Sequence, residues 1–401
     1  MSAPVGAVDK DRPSPEWIAA LRRRFPVERE IDHVLTRKLE RRAGPPYAPL
    51  SLETLVEGTR ALLSGNIAGS FEIRSPRWLS GGASKLQMAF ELEREKPGRG
   101  RGVEPVVLRM DPAESIVCSS RLREYELIRA FDGIIPVPPV HCVDAEGEYL
   151  PYPAILYGFA EGVAKPSVAA PKVSGIGTNL GAALRERLAP QFIEHLGRVH
   201  TRDYRNAGLA AFDLPQTPTQ SAAWAVDWWE RVWEEDGDEE EPLLRYAAAW
   251  LRAHLPAADR LSIVHADFRV GNFLFDETTA RITAWLDWEL GRIGDRHQDL
   301  AWTTSPAFSH YAEDGRTWLV GGLLPENAFF EAYERASGLR VDRRSLHWYK
   351  VFNAWWFAII VLAAGYRAAR NGKTHQDVLV AWLIGLGPML MSELRGLLEN
   401  A

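Results

Sequence analysis

Two short segments of the chain concentrate the groups able to do chemistry. The first runs Ser262-Ile263-Val264-His265-Ala266-Asp267-Phe268-Arg269-Val270-Gly271-Asn272-Phe273-Leu274-Phe275-Asp276. An apolar stretch ends at His265, a polar loop follows, and a second apolar stretch begins at Phe273. The polar groups of such a loop are hard to satisfy in a core, so the loop is expected at the surface of a site. Asp267 and Asn272, five positions apart, can then face one pocket. Further on, Trp285-Leu286-Asp287-Trp288-Glu289 repeats the theme of a strand followed by a carboxylate. Phosphoryl transfer needs these types of group. One carboxylate orients a hydroxyl and accepts its proton, hard oxygens hold Mg²⁺ against phosphates, and positive groups offset the charge in transit.

The whole chain sets limits on that chemistry. Its 401 residues, 46% apolar, suffice for two lobes that each hold a core. Glycine (32) and proline (26) are near average, so most of the chain is expected to fold. A net charge of −6 argues against a surface that grips nucleic acid, while leaving room for one local basic pocket. The two cysteines, Cys118 and Cys142, indicate neither a disulfide framework nor a cysteine zinc site, and a cytoplasmic location is expected. Residues 1–17 hold no apolar stretch of the signal-peptide kind. The longest apolar run, Asn353 to Tyr366, is shorter than the roughly 20 residues that span a bilayer. It is expected as a buried helix, with no membrane partner.

A scaffold must bring the two segments together. Residues 1–13 read as a loose tail. Ser14-Pro15-Glu16 reads as a capped helix start, and Val27, Ile31, Val34, Leu35 and Leu39 recur at helical spacing. Ser51 opens a further helix, so the first 70 residues are expected to be helical. Over 71–160 the period changes. Leu86, Met88, Phe90 and Leu92 alternate with Lys85, Gln87, Ala89 and Glu91, which marks a half-buried strand. An extended stretch from Phe71 to Leu79 precedes it, and Pro97-Gly98-Arg99-Gly100 reads as a hairpin turn. Val106 to Leu108, Val140 to Val143 and Ala154 to Phe159 complete an antiparallel sheet, with one helix from about Glu114 to Phe131. The remainder is mostly helical in pattern. Leu184 to His200 is amphipathic, and short strands at Leu261 to Val264 and Ile282 to Leu286 feed the two chemical segments. The acidic run Glu234 to Glu241 reads as a solvated loop. Trp224, Trp228, Trp229 and Trp233 share a helix face, expected in the core rather than on a substrate pocket, and Trp355 and Trp356 are read the same way. Arg22 to Arg24 and Arg41-Arg42 either meet an anionic substrate or are solvated.

The pattern H-x-D-x-R-x-x-N is similar to the protein-kinase loop in which His-Arg-Asp precedes an Asn five residues beyond the Asp. HADFRVGN and LDWELGRIGDRHQDLAW resemble the aminoglycoside phosphotransferase (APH) family of kinase-like enzymes. Within it, the likeness is to the phosphotransferases associated with acyl-CoA dehydrogenases. The glycine loop LSGGAS, the LRM strand and the IPVPPV segment support it, over roughly residues 70–310. The resemblance implies an α+β, bilobal protein-kinase-like fold. An N-terminal helical extension would span 1–70. A nucleotide-binding lobe of antiparallel sheet plus one helix would span 71–160. A larger helical lobe with the catalytic loop, metal site and substrate pocket would span 161–401.

The resemblance also implies ATP or GTP as phosphate donor, Mg²⁺ as cofactor, and a small-molecule hydroxyl as acceptor. Asp267 would be the catalytic base, with Asn272 and Asp287 the Mg²⁺ ligands. Arg269 stands where kinases often place a lysine that touches the γ-phosphate. Arg109 stands at the strand position of the phosphate-pairing lysine, oriented by Glu124. Gly81, Gly82 and Ser84 would cover the phosphates, and the backbone from Tyr157 to Phe159 would be the hinge that meets the base. Asp299 and His265 would brace the loop. Two departures stand out. Ala266 replaces the family's usual glycine, tolerable on an unstrained backbone. Arginine at 109 is a broad fork where a lysine would be a point charge.

Three functions fit these residues: an active small-molecule kinase, a nucleotide-binding pseudokinase, and a metal-dependent hydrolase. The hydrolase would use His265 and Asp267 as ligands, with His297 and Asp299 as a second pair. The presence of all three polar groups favours the active kinase. Its acceptor is left open between a hydroxyacyl compound, as a CoA thioester, and an antibiotic. A cationic antibiotic would need an acidic pocket, and the run at 234–241 is a poor candidate for one.

Overall fold

The computed structural model describes residues 8–79, 85–96, 100–167 and 176–401. Gly81, Gly82 and Ser84 of the glycine loop, and most of the turn at 97–100, lie outside the described residues. Three helices open the chain: α1 (Pro15–Arg24), α2 (Arg29–Arg41) and α3 (Leu52–Asn66). Ser14 caps α1 by accepting the Trp17 amide at 3.3 Å, and Ser51 caps α3 through the Thr54 amide at 3.2 Å. The apolar stripe of α2, from Ile31 to Leu39, is buried as its spacing predicts.

A five-stranded antiparallel sheet follows, in the order β1-β2-β3-β5-β4. Its strands are β1 (Phe71–Trp78), β2 (Leu86–Lys96), β3 (Gly100–Met110), β4 (Val140–Asp144) and β5 (Ala154–Gly158). Leu86, Met88, Phe90 and Leu92 pack with Val106, Leu108 and Met110 on one face. Alternation sends Arg109 and its partner Gln87 to the other face, toward helix α4 (Arg121–Phe131). The sequence places the start of α4 near Glu114. It begins at Arg121, because Ser120 caps it by accepting the Arg123 amide at 3.3 Å. The preceding residues are held elsewhere: Glu114 by Arg42, and Ser119 by Glu289 at 2.7 Å.

The helical lobe contains α5 (Gly181–Thr201), α6 (Gln220–Asp236), α7 (Pro242–Ala253), α8 (His297–Thr303) and α9 (Glu326–Ser337). It ends with α10 (Arg343–Ile359), α11 (Tyr366–Arg370), α12 (Asp377–Leu383) and α13 (Gly387–Glu399). Two small antiparallel pairs carry the chemical segments. β6 (Ser262–Val264) pairs with β9 (Arg292–Gly294), and β7 (Phe273–Asp276) pairs with β8 (Arg281–Trp285).

The apolar run at 353–366 is the core helix expected of it. α10 continues through a π-helical turn, Ile360–Gly365, into α11, and 83% of its most apolar window is buried. A second segment, Asp377–Glu399, is also long and apolar enough to cross a membrane by length and composition (mean hydropathy 1.5), and only 22% of its window is buried. The sequence reading overlooks it.

The acidic run is not one solvated loop. Glu235 and Asp236 complete α6 and are buried, and only Asp238 to Glu240 are exposed. Lys38 reaches Glu235 at 2.7 Å and Asp236 at 3.0 Å, and Arg231 reaches Glu235 at 2.7 Å. Arg42 is buried rather than solvated. Its guanidinium pairs with Glu114, in the sheet lobe, at 3.2 Å and with Asp236, in the helical lobe, at 2.5 Å. Trp228, Trp229 and Trp233 are core residues, and Trp224 is half-buried. Trp228 stacks on Trp229, Trp229 on Trp356, and Trp356 on Trp302, with ring centroids 5.3, 5.1 and 4.7 Å apart.

Candidate active site

The loop 265–272 hangs between β6 and β7, and α8 fixes its start. Asp299 accepts the His265 amide at 2.8 Å and the Ala266 amide at 2.6 Å. Behind it, His200 donates from Nε2 to Asp299 at 3.1 Å, and its Nδ1 meets the Tyr333 hydroxyl at 2.8 Å. Burial lowers the pKa of the His200 imidazole in spite of the carboxylate, which favours the neutral ring. Ala266 has φ +65°, in the left-handed region. The alanine therefore stands on a strained backbone, so the condition under which the change is tolerable is not met, and the Asp299 clamp holds it there. His265 has the expected supporting role. Its Nδ1 accepts the Asp267 amide at 3.2 Å, and its Nε2 donates to the Leu286 carbonyl at 3.0 Å.

Asp267 is one-fifth exposed and its carboxylate is held from three sides. Arg269 Nε at 2.9 Å and Trp302 Nε1 at 2.6 Å donate to Oδ1, and Asn272 Nδ2 at 2.5 Å donates to Oδ2. The β7–β8 hairpin brings Asn272 beside Asp287. Phe273 pairs with Trp285, and the Leu286 amide donates to the Asn272 carbonyl at 2.9 Å, so the residues at the open end are neighbours. Asp287 turns there through a left-handed conformation (φ +59°) and its side chain is 43% exposed.

Arg109 and Glu124 pair directly, as expected, and both are buried. The fork of Arg109 also reaches Asp287 at 2.6 Å and Glu289 at 3.4 Å, which ties the sheet lobe to the candidate metal ligand. Glu289 belongs to the second chemical segment, and its type and spacing alone assign it no role. It receives Lys85 at 3.0 Å, Arg121 at 2.8 Å and Ser119 at 2.7 Å. Burial alone would raise its pKa. Lys85, Arg109 and Arg121 outweigh that and hold the carboxyl far below the ordinary range.

A cavity of about 580 Å³ unites these groups. Arg109, Glu124, Asp267, Arg269, Asp287 and Glu289, with Gln87, form its polar lining, and Leu79, Pro138, Tyr157, Ile176 and Leu286 are among its apolar walls. The cavity also has an apolar arm of Trp302, Phe308, Trp356, Phe357, Ile360, Val361, Gly365, Val380 and Leu383. Trp356 thus serves both core and cavity. The three residues of the expected hinge are placed differently. Tyr157 lines the cavity, but Phe159 does not; its amide donates to Pro105 at 2.9 Å, and that of Gly158 to Pro139 at 2.7 Å. Those two donors are engaged within the sheet lobe and its edge.

The two His-x-Asp pairs do not converge on an ion. His297 is engaged through Nδ1 with Asp295 at 2.6 Å, and its Nε2 accepts the Asp342 amide at 2.9 Å. Both nitrogens of His265 are likewise engaged. Among the described residues no three His, Cys, Asp or Glu side chains form a metal-binding group. Asn272 and Asp287 offer a different donor set, two hard oxygens, with Asp287 on the cavity wall and 43% exposed and Asn272 buried beside it. That suits Mg²⁺, which keeps waters and takes phosphate oxygens.

A small antiparallel sheet over a helical lobe, with a carboxylate loop opening on the cleft between them, defines a kinase-like fold. Residues 79–349 match the APH family, the phosphotransferase enzyme family, and the chain belongs to it. Solved structures share the fold. One is a Ralstonia eutropha protein assigned to the aminoglycoside phosphotransferases (20% identity, TM-score 0.60, 86% of this chain and 98% of that one). Another is the type I macrolide 2'-phosphotransferase (18% identity, TM-score 0.52, 84% and 98%). Curated relatives include mouse acyl-CoA dehydrogenase family member 10, 27% identical over 203 residues, and chicken member 11, 28% identical over 165 residues. Those stretches cover 49% and 39% of this chain but 18% and 21% of the relatives. The chain therefore corresponds to a minor part of their length.

Proposed function

We propose that the chain moves the γ-phosphoryl group of ATP or GTP to a hydroxyl on a small molecule with an apolar body, of the hydroxyacyl kind. One observation carries the reading: Asp267 stands in the polar lining, bonded to Arg269, and meets the apolar arm through Trp302. A phosphate donor suits the first and a hydrocarbon chain the second. Polycationic antibiotics suit the arm poorly, since Glu124 and Glu289 are neutralised by arginine and lysine and no other carboxylate than Asp267 and Asp287 lines the cavity among the described residues. The naming of the curated relatives for acyl-CoA dehydrogenases supports an acyl acceptor.

In this mechanism Asp267 orients the acceptor hydroxyl and takes its proton as the oxygen attacks the γ-phosphorus in line. Asn272 and Asp287 would hold Mg²⁺, which would neutralise phosphate charge when bound. Arg269 offsets charge on the transferring group. Arg109, kept in place by Glu124, does so from the sheet side. His265 and Asp299 keep the loop in shape.

The test is a transfer screen with both nucleotides over hydroxyacyl-CoAs of rising chain length, a macrolide and an aminoglycoside. Asp267→Asn should lower turnover by about 10²–10⁴-fold with nucleotide affinity preserved. Near-normal turnover in that variant would remove Asp267 from its role. Preference for the aminoglycoside would remove the apolar acceptor.

A further inference from the structure

We infer that Trp302 is a positioning residue for the base, which reserves a single lone pair of Asp267 for the acceptor hydroxyl. The inference rests on the reading of Asp267 as base. An ionised carboxylate offers about four lone-pair sites. Arg269 Nε and Trp302 Nε1 fill the two on Oδ1, at 2.9 and 2.6 Å, and Asn272 Nδ2 fills one on Oδ2, at 2.5 Å. One site on Oδ2 is left, and the hydroxyl docks there.

An indole suits this task. It donates and cannot accept, so it fixes the carboxylate in one sense only. Trp302 is 4% exposed, and its ring is stacked on Trp356 at 4.7 Å and met edge-on by Phe308 at 5.0 Å and Phe357 at 5.4 Å. The ring cannot rotate away without disrupting that packing. α8 thus works as a jig with three points of contact on the loop. Asp299 holds the amides of His265 and Ala266, Trp302 holds the carboxylate of Asp267, and Thr303 Oγ1 donates to the Phe268 carbonyl at 2.5 Å. Because the same indole walls the apolar arm, the surface that the acceptor body touches also aims the base.

Trp302→Phe keeps a ring in the stack and deletes the donor. The loss of one hydrogen bond to a charged group should lower kcat on the order of tenfold or more, with nucleotide Kd within about twofold. Trp229→Phe makes the same exchange further along the stack, away from the cavity, and should leave kcat within about twofold. A double-mutant cycle separates positioning from general structural damage. In an Asp267→Asn background, Trp302→Phe should change the residual rate by less than about twofold. An unchanged kcat in Trp302→Phe, or the same loss in both backgrounds, would overturn the assignment. If Trp302→Phe does not fold, indole N–H spectra of the wild-type protein and Asp267→Ala decide: one indole resonance should move upfield, and an unmoved set would overturn it. Full turnover in Asp267→Asn would overturn the base and this inference together. Lost turnover there beside a silent Trp302→Phe would overturn this inference alone.

Discussion

At the polar end of the cavity each charged side chain has a named partner, and several have three. The apolar arm is walled by side chains drawn from α8, the loop after it, α10, its π-helical turn and α12, with little but packing between them. The two regions respond to different constraints. In the polar network the identity of each residue is fixed, because removing one partner strands a buried charge. In the arm, Trp302 apart, only volume and shape are fixed, so exchange among apolar residues is cheap. One end specifies the reaction and the other, beyond Trp302, can be retuned to the acceptor without touching it.

Substitutions can break that contrast or sharpen it. After Asp267→Asn, the largest effect is expected from Asp287→Asn. It removes a ligand charge and one of the partners of Arg109, and should weaken Mg²⁺-nucleotide binding on the order of 10–100-fold. Titration calorimetry with and without Mg²⁺ checks it, and equal affinities would separate Asp287 from the metal. Gly365→Ala should act at the other end only. An added Cβ would stand 3.3 Å from Val380 and 3.0 Å from the Ile360 carbonyl, narrowing the arm. KM for long acceptors should rise about fivefold while short ones change by less than about twofold. A uniform rise over a chain-length series would contradict the division. Smallest is Ala266→Gly, which relieves the left-handed alanine but loosens the unfolded chain. The two effects nearly cancel, leaving stability equal or raised by up to about 1 kcal/mol. Thermal unfolding reads it, and a marked drop would show that Asp299 does not hold a strained backbone.

The contrast also explains what the sequence makes legible. Asp267, Asn272 and Asp287 stand out because their chemistry requires particular residue types, and because a short loop and one hairpin bring them together at fixed spacing. Arg109 and Glu124 follow from strand alternation and the next helix. The partners of Glu289 are harder to find, since Lys85, Ser119 and Arg121 come from separate elements and no spacing rule links them. The arm is hardest of all. Trp302, Phe308, Gly365 and Leu383 are ordinary core residues by type, and only the fold shows that they border a space. The acidic run fails for a related reason: charge density reads as solvation unless the burying cations, Lys38 and Arg42, are known to be near.

Arg42 has a consequence for motion. Its guanidinium lies between Glu114 of the sheet lobe and Asp236 of the helical lobe, outside the cavity lining. Swinging the lobes apart as rigid bodies would leave a buried charge without its counter-ion, at a cost on the order of 3–5 kcal/mol. The N-terminal helices therefore act as a latch. Distance labels on the two lobes should report one narrow separation with and without nucleotide, and a second, wide population in the nucleotide-free protein would show the latch open.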